Sequence, residues 1–314
     1  MKLINPVVIF FLTIGCYSNP SFEVNDDDHL SLSKTIDLKN YGEKSIIHQM
    51  KHLLIGPCSL PNIIEVGGIT SGANEHLLLV DKKSSMIYSL PLEKQNCGNI
   101  NSKYLIETES LTDIIYHDDS YFVLDDKLNH IFILDLDLNI VESLLLDSAK
   151  SPQKLMIIEN NLLVIDPPKN QIILIDLETN NQSIIKSNES TNLWLPQDFT
   201  HSSSGHVFIL NELGRQILVS DVTFSSSQEI DFAFKDISLL FPKTIQFHPN
   251  GLLIIYDAGI RDILFIRPNG ELVTTLSTEF SSHKIFPSDF TLLNDESIAI
   301  VDRVNQSISI IRVE

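Results

Sequence analysis

Asn161–Leu177, NLLVIDPPKNQIILIDL, is an apolar run that ends in Asp166, crosses a short polar turn and resumes as a second apolar run. The pattern recurs five times: HLLLVDKKSSMIYSL (76–90), YFVLDDKLNHIFILDL (121–136), HVFILNELGRQILVSD (206–221), LLIIYDAGIRDILFI (252–266) and SIAIVDRVNQSISII (297–311). One polar residue anchors each copy, giving Asp81, Asp125, Asp166, Asn211, Asp257 and Asp302, 41 to 46 residues apart. A period in the forties marks stacked or radial units, each a supersecondary element that cannot bury its apolar face alone. Six residues after every anchor stands isoleucine: Ile87, Ile131, Ile172, Ile217, Ile263 and Ile308. Eleven or twelve before it stands a second apolar column, Ile69, Ile114, Leu155, Phe199, Ile245 and Phe290, preceded in four copies by Pro152, Pro196, Pro242 or Pro287.

Each repeat offers four runs of about five or six residues with turn chemistry between them, such as Pro249-Asn250-Gly251 and Pro268-Asn269-Gly270. That suits a four-stranded antiparallel blade, and helical periods are missing. The expected fourth strands are Lys103–Thr108, Ile140–Leu146, Gln182–Lys186, Glu229–Phe234 and Glu271–Leu276. The last repeat stops after its third strand, while SIIHQMKHLLI (45–55) stands spare before the first. Pairing the two would close a ring and remove exposed edge strands.

On these residues the chain resembles a six-bladed β-propeller of the NHL-repeat or TolB-like type. The resemblance spans about Val66–Glu314 and implies an all-β fold with its blades around a central channel. It lacks the tryptophan–aspartate pairs of WD repeats, since Trp194 is the one tryptophan, and the repeated glycine doublets of kelch. It also implies that the anchor aspartates cap the turn between second and third strands by accepting backbone hydrogen bonds.

The first residues read as an export signal, with Lys2 as the charged end and Pro6–Ile14 as the apolar core. Thr13-Ile14-Gly15-Cys16 resembles the bacterial lipobox, which implies a lipid on Cys16 and a periplasmic, outer-membrane or cell-surface lipoprotein. Residues 1–16 are thus the expected signal, 17–44 an acidic tether with Asp26, Asp27 and Asp28 in a row, and 45–314 the propeller. With 22 Lys+Arg against 41 Asp+Glu, the net charge of −19 argues against nucleic acid and leaves the lipid as the expected membrane contact. A monomer is expected.

Two residues after the proline column, where the first strand meets the channel, stand Gly68, Asp113, Lys154, Asp198, Thr244 and Asp289. On successive blades these would converge at one mouth. Asp113, Asp198 and Asp289 could hold a hard cation such as Ca²⁺, with Lys154 partly neutralising them, or the mouth could simply be a solvated rim. Trp194, with Phe241 and Phe286, falls in the loops leading to this face and is a candidate for the same ligand site. His117, His201 and His248 fall at the opposite end. No nucleophile elbow or phosphate-cradling glycine loop occurs, so no catalytic residue is assigned and no cofactor beyond Ca²⁺ is expected. In an oxidising compartment Cys58 and Cys97 would be candidates for a disulfide, but the blade assignment sets them on opposite faces, beyond bonding reach.

Two functions stay open. One is a binding or scaffold module for a protein or small ligand at the channel face. The other is a Ca²⁺-dependent hydrolase or lactonase of the senescence-marker type, to which the ring bears a partial likeness.

Overall fold

Every anchor residue ends the second strand of a separate antiparallel sheet, and six such sheets follow one another along the chain. The computed structural model describes residues 50–53, 63–93, 96–97, 100–188, 191–211, 216–230, 238–280, 283–302 and 304–313. The expected signal, tether, Cys16 and Cys58 lie outside them, as does the Cys97 side chain.

Blade 1 comprises Val66–Ser71, His76–Asp81, Met86–Glu93 and Asn101–Tyr104, with the short strand Asn96–Cys97 folded back on its third strand. Blade 2 is Leu111–His117, Ser120–Asp125, His130–Leu134 and Ile140–Leu145. Blade 3 is Lys154–Ile158, Asn161–Asp166, Gln171–Asp176 and Gln182–Lys186. Blades 4 and 5 run Pro196–His201, Val207–Asn211, Gln216–Ser220, Ser227–Glu229 and Pro242–Phe247, Leu253–Asp257, Asp262–Ile266, Leu272–Ser277. Blade 6 holds Pro287–Leu292, Ile298–Asp302 and Ser307–Val313, and the backbone of Met50–Leu53 lies antiparallel to the last of these, Met50 opposite Val313. The fold is therefore an all-β, six-bladed propeller. Its only described helical turns are Ala73–Glu75 and Pro167–Lys169.

The two apolar columns explain why the blades assemble. Ile87 shares a buried cluster with Ile114 of the next blade. The same holds for Ile131 with Leu155, Ile172 with Phe199, Ile217 with Ile245 and Ile263 with Phe290. Ile308 shares its cluster with Ile69, so blade 6 packs on blade 1 and the circle is complete through side chains alone. Each pair is at most 6% exposed, and each isoleucine so buried is worth about 1.5–3 kcal/mol gross. The repeat spacing is thus the spacing of inter-blade contacts.

The anchors do more than cap one turn. Asp125 accepts from the backbone N–H groups of Lys127 and Leu128 in the following turn, and from Glu109 and Ser110 in the loop entering the blade. Asp81 and Asp257 repeat this clamp. In blade 3 the turn begins Pro167-Pro168, which has no N–H to give, and the Gln171 side chain donates to Asp166 instead, at 2.9 Å. The clamp fixes all these loops to one face, called upper here. The lower face carries the other turns, where Gly205, Gly251 and Gly270 take positive φ values of 82°, 89° and 90°.

Candidate functional site

A β-bulge interrupts the first strand of five blades at its upper end: Leu111/Asp113, Pro196/Asp198, Pro242/Thr244, Pro287/Asp289 and, in blade 1, Val66/Ile69. A bulge turns the strand and re-aims the residue that follows. Here it delivers Asp113, Asp198, Thr244 and Asp289 to the axis, while Lys154 reaches it from a first strand of unbroken register.

The ring predicted from the repeat does converge. Lys154 Nζ lies 2.5 Å from Asp289 Oδ2 and 3.4 Å from Asp113 Oδ1. Thr244 Oγ1 donates to Asp289 Oδ1 at 3.1 Å. Gly68 completes the circle because nothing larger fits: a Cβ there would stand 2.1 Å from Asp113 Oδ1. The carboxylates also cap backbone N–H groups that the inner edge of the neighbouring blade would otherwise leave bare. Asp113 accepts from Leu155 N at 2.7 Å and Asp198 from Ile245 N at 2.9 Å, and one layer down Thr200 does the same for Phe247 N. The three aspartates are at most 4% exposed. Burial pushes the Asp113 carboxyl up to about 7 and Asp198 up to about 6; Lys154 opposes the shift and Asp289 adds to it. Burial works against the Lys154 charge, yet Asp113, Asp289 and Asp198 together hold its ammonium above the ordinary lysine range.

This arrangement differs from an open carboxylate rim. The ammonium of Lys154 stands between Asp113 and Asp289, and several of the remaining oxygens are committed to backbone donors. Among the described residues no group of three His, Cys, Asp or Glu side chains has metal-holding geometry. In this geometry the ring forms an ionic hub joining the blades.

Next to the hub runs an axial cavity of about 430 Å³, bordered at one end by Asp113, Lys154, Asp198 and Asp289 and toward the other by Tyr116, His117, His201 and Phe247. His248 is not part of it; its ring is buried and bonds the Glu296 carbonyl at 2.9 Å. Trp194, expected beside the ring, is set apart from the cavity. It stands 53% exposed on the upper face, in the loop held by Asn211, whose Oδ1 accepts from Trp194 N. Sequence reasoning missed Thr70, Thr200, Gln246 and Thr291 in the cavity wall. Their position two residues after the ring on strands of period two was the available signal.

No family model and no curated protein matches the chain. Solved structures do. The chain is similar to a streptogramin B lyase structure at 14% identity, with 84% of this chain and 97% of that one covered and a TM-score of 0.62. The likeness is one of fold. A chain of a nidogen/laminin complex aligns at 13% identity and TM-score 0.58, over 68% and 80% of the two chains. The WD40 β-propeller domain of Doa1 aligns at 15% and 0.57, over 79% of each.

Proposed function

We propose that this chain is an exported, lipid-anchored propeller that binds a small polar ligand or a protein segment in its axial cavity without transforming it. The observation that carries the reading is the cavity beside a committed hub. Its volume lies within the roughly 300–1,000 Å³ of ligand pockets, and Thr70, Tyr116, Thr200 and Gln246 offer it neutral donors and acceptors. The charged groups of the ring are engaged with one another and with backbone, which favours binding over chemistry. Participation of a similar chain in a nidogen/laminin complex supports a binding use of the fold. The Ca²⁺-dependent hydrolase reading needs a cation where the Lys154 ammonium stands, and so ranks second.

The test is thermal shift against a panel of small polar metabolites and Ca²⁺, comparing the wild type with Gln246→Trp, which adds bulk to the cavity wall. A compound that stabilises the wild type is expected to lose its effect in the variant, and Ca²⁺ is expected to shift neither. Equal shifts in both proteins, or no shift from any compound, would remove the cavity as the site. A Ca²⁺ shift abolished by Asp113→Asn would restore the hydrolase. For the anchor, a clickable palmitate fed to an expressing bacterium should label the wild type and not Cys16→Ser; equal labelling of the two would sink lipidation at that residue.

A further inference from the structure

The formal charge of −19 conceals a segregation between the two faces. On the upper face the exposed cations among the described residues include Lys83, Lys127, Lys150, Lys169, Lys243 and Arg261, against the exposed loop acids Glu65, Glu107, Glu109 and Asp147. Lys83 is tied to Glu65 and Lys169 to the Ser148 carbonyl, while Lys127, Lys150 and Arg261 reach outward from three different blades. The lower face is mainly acidic, and among the described residues its cations Arg267 and Lys103 are bonded to Glu271 and to the Asp137 carbonyl. Its turns expose Glu75, Asp118, Asp119, Glu159, Asp295 and Glu296, and none of the described turns between first and second strands contains a lysine or arginine. First strands of five to seven residues, at about 3.3 Å each, hold the faces roughly 20 Å apart. That exceeds two Debye lengths of about 8 Å at physiological salt, so the lower acids are screened from anything touching the upper face.

The same upper face carries six large exposed apolar side chains: Ile64 (70%), Ile106 (71%), Trp194 (53%), Leu240 (37%), Phe241 (51%) and Val304 (56%). The anchor clamps hold several of them in place, since Asp81 binds Ile64 N, Asn211 binds Trp194 N, and Asp257 binds Leu240 N and Phe241 N. Gly259 is required beneath them, because a Cβ there would stand 2.5 Å from Leu240 Cβ. Fixed loops thus present apolar tips with lysines between.

We propose that the upper face docks flat on an anionic lipid bilayer, its apolar tips entering the interface and its cations meeting the headgroups. Two observations favour a bilayer over an acidic protein. The apolar residues come from the loops of five blades instead of forming the packed central cluster on which protein interfaces depend. Aromatic and aliphatic side chains interleaved with lysine are what interfacial insertion uses, each side chain entering on its own. Among the described residues no helix is long and apolar enough to cross a membrane, so contact through this face is peripheral. The lipid on Cys16 and this surface would supply the two signals that stable anchoring takes.

The chain contains one tryptophan, and it lies on the proposed surface. With the full chain and vesicles of phosphatidylcholine plus phosphatidylglycerol, Trp194 emission should move to the blue and be quenched by brominated lipid. Vesicles of phosphatidylcholine alone should leave it unmoved. Because the signal comes from Trp194, adsorption of an apolar N-terminus cannot imitate it. Lys127→Gln, Lys150→Gln and Arg261→Gln together should weaken binding by roughly fivefold per cation removed, with the thermal midpoint unchanged. Emission indifferent to anionic vesicles, equal response to neutral ones, or full affinity in the triple variant would overturn the proposal. A shift produced by polyglutamate and not by vesicles would overturn it in favour of an acidic protein partner.

Discussion

Lys154→Met is expected to destabilise the fold by about 3–5 kcal/mol at pH 8, because it strands Asp113 and Asp289 beside Asp198 with no counter-charge in a buried hub. In a domain of this size that lowers the thermal midpoint by on the order of 10 °C. The loss has a pH signature that a packing defect would not. Asp113 and Asp198 titrate near 7 and 6 in the folded protein, against 3.8 when unperturbed. The folded state therefore keeps protons that the unfolded chain releases, and the resulting stability is full at low pH and lost as pH rises through 6 and 7. The wild type should accordingly show this contribution as a higher urea midpoint at pH 5 than at pH 8. Removing the ammonium raises the carboxyls further, so the deficit of the variant should be greatest at pH 8 and shrink toward pH 5. Adding Asp113→Asn, Asp198→Asn and Asp289→Asn to Lys154→Met should recover most of it, since neutral partners leave no buried charge. Urea titrations of the three proteins at both pH values decide the matter. A deficit that is the same at pH 5 and pH 8 would show that Lys154 contributes packing and not charge.

The hub shows what a repeat can and cannot reveal. Its membership was legible, because Asp113, Lys154, Asp198, Thr244 and Asp289 hold one register position and topology brings equal positions together at the axis. Its chemistry was not. Whether three carboxylates hold a metal or an ammonium depends on where a four-carbon side chain ends, and spacing is silent on that. The blade number and inter-blade columns were readable for the same reason as the ring. Two fourth strands were read less well: Lys103–Thr108 was expected where Asn101–Tyr104 is found and Glu229–Phe234 where Ser227–Glu229 is found, because outer strands are half solvated and carry little apolar pattern. Net charge was the least informative reading: it is a sum over the whole chain, whereas the sorting of charge between turns becomes visible only when each turn is assigned to a face.

The anchor aspartates supply the second large effect. Asp257 is fully buried and accepts four backbone hydrogen bonds, from Leu240 (2.6 Å), Phe241 (2.9 Å), Gly259 (2.8 Å) and Ile260 (3.1 Å). Asp257→Ala leaves four N–H groups without an acceptor where water has limited access, a cost of about 3–5 kcal/mol. It should also release Leu240 and Phe241 from the upper face, so the vesicle affinity should fall even at temperatures where the variant is folded. Blade 4 provides the control. Asn211 occupies the same position, yet its Oδ1 accepts from Trp194 N and its Nδ2 donates to the Asn192 carbonyl at 3.1 Å, in a loop where Asn192 and Leu195 take positive φ. Asn211→Asp would set a carboxylate against that carbonyl, and so should destabilise the protein although it restores the residue found in the other five blades. Asp257→Asn fails for the mirror-image reason, offering an amide donor to a loop that presents only donors. Chemical denaturation of the three variants tests the account: stabilisation by Asn211→Asp would mean that the clamp is a generic turn preference, and the geometry of each loop would then not be what selects its anchor.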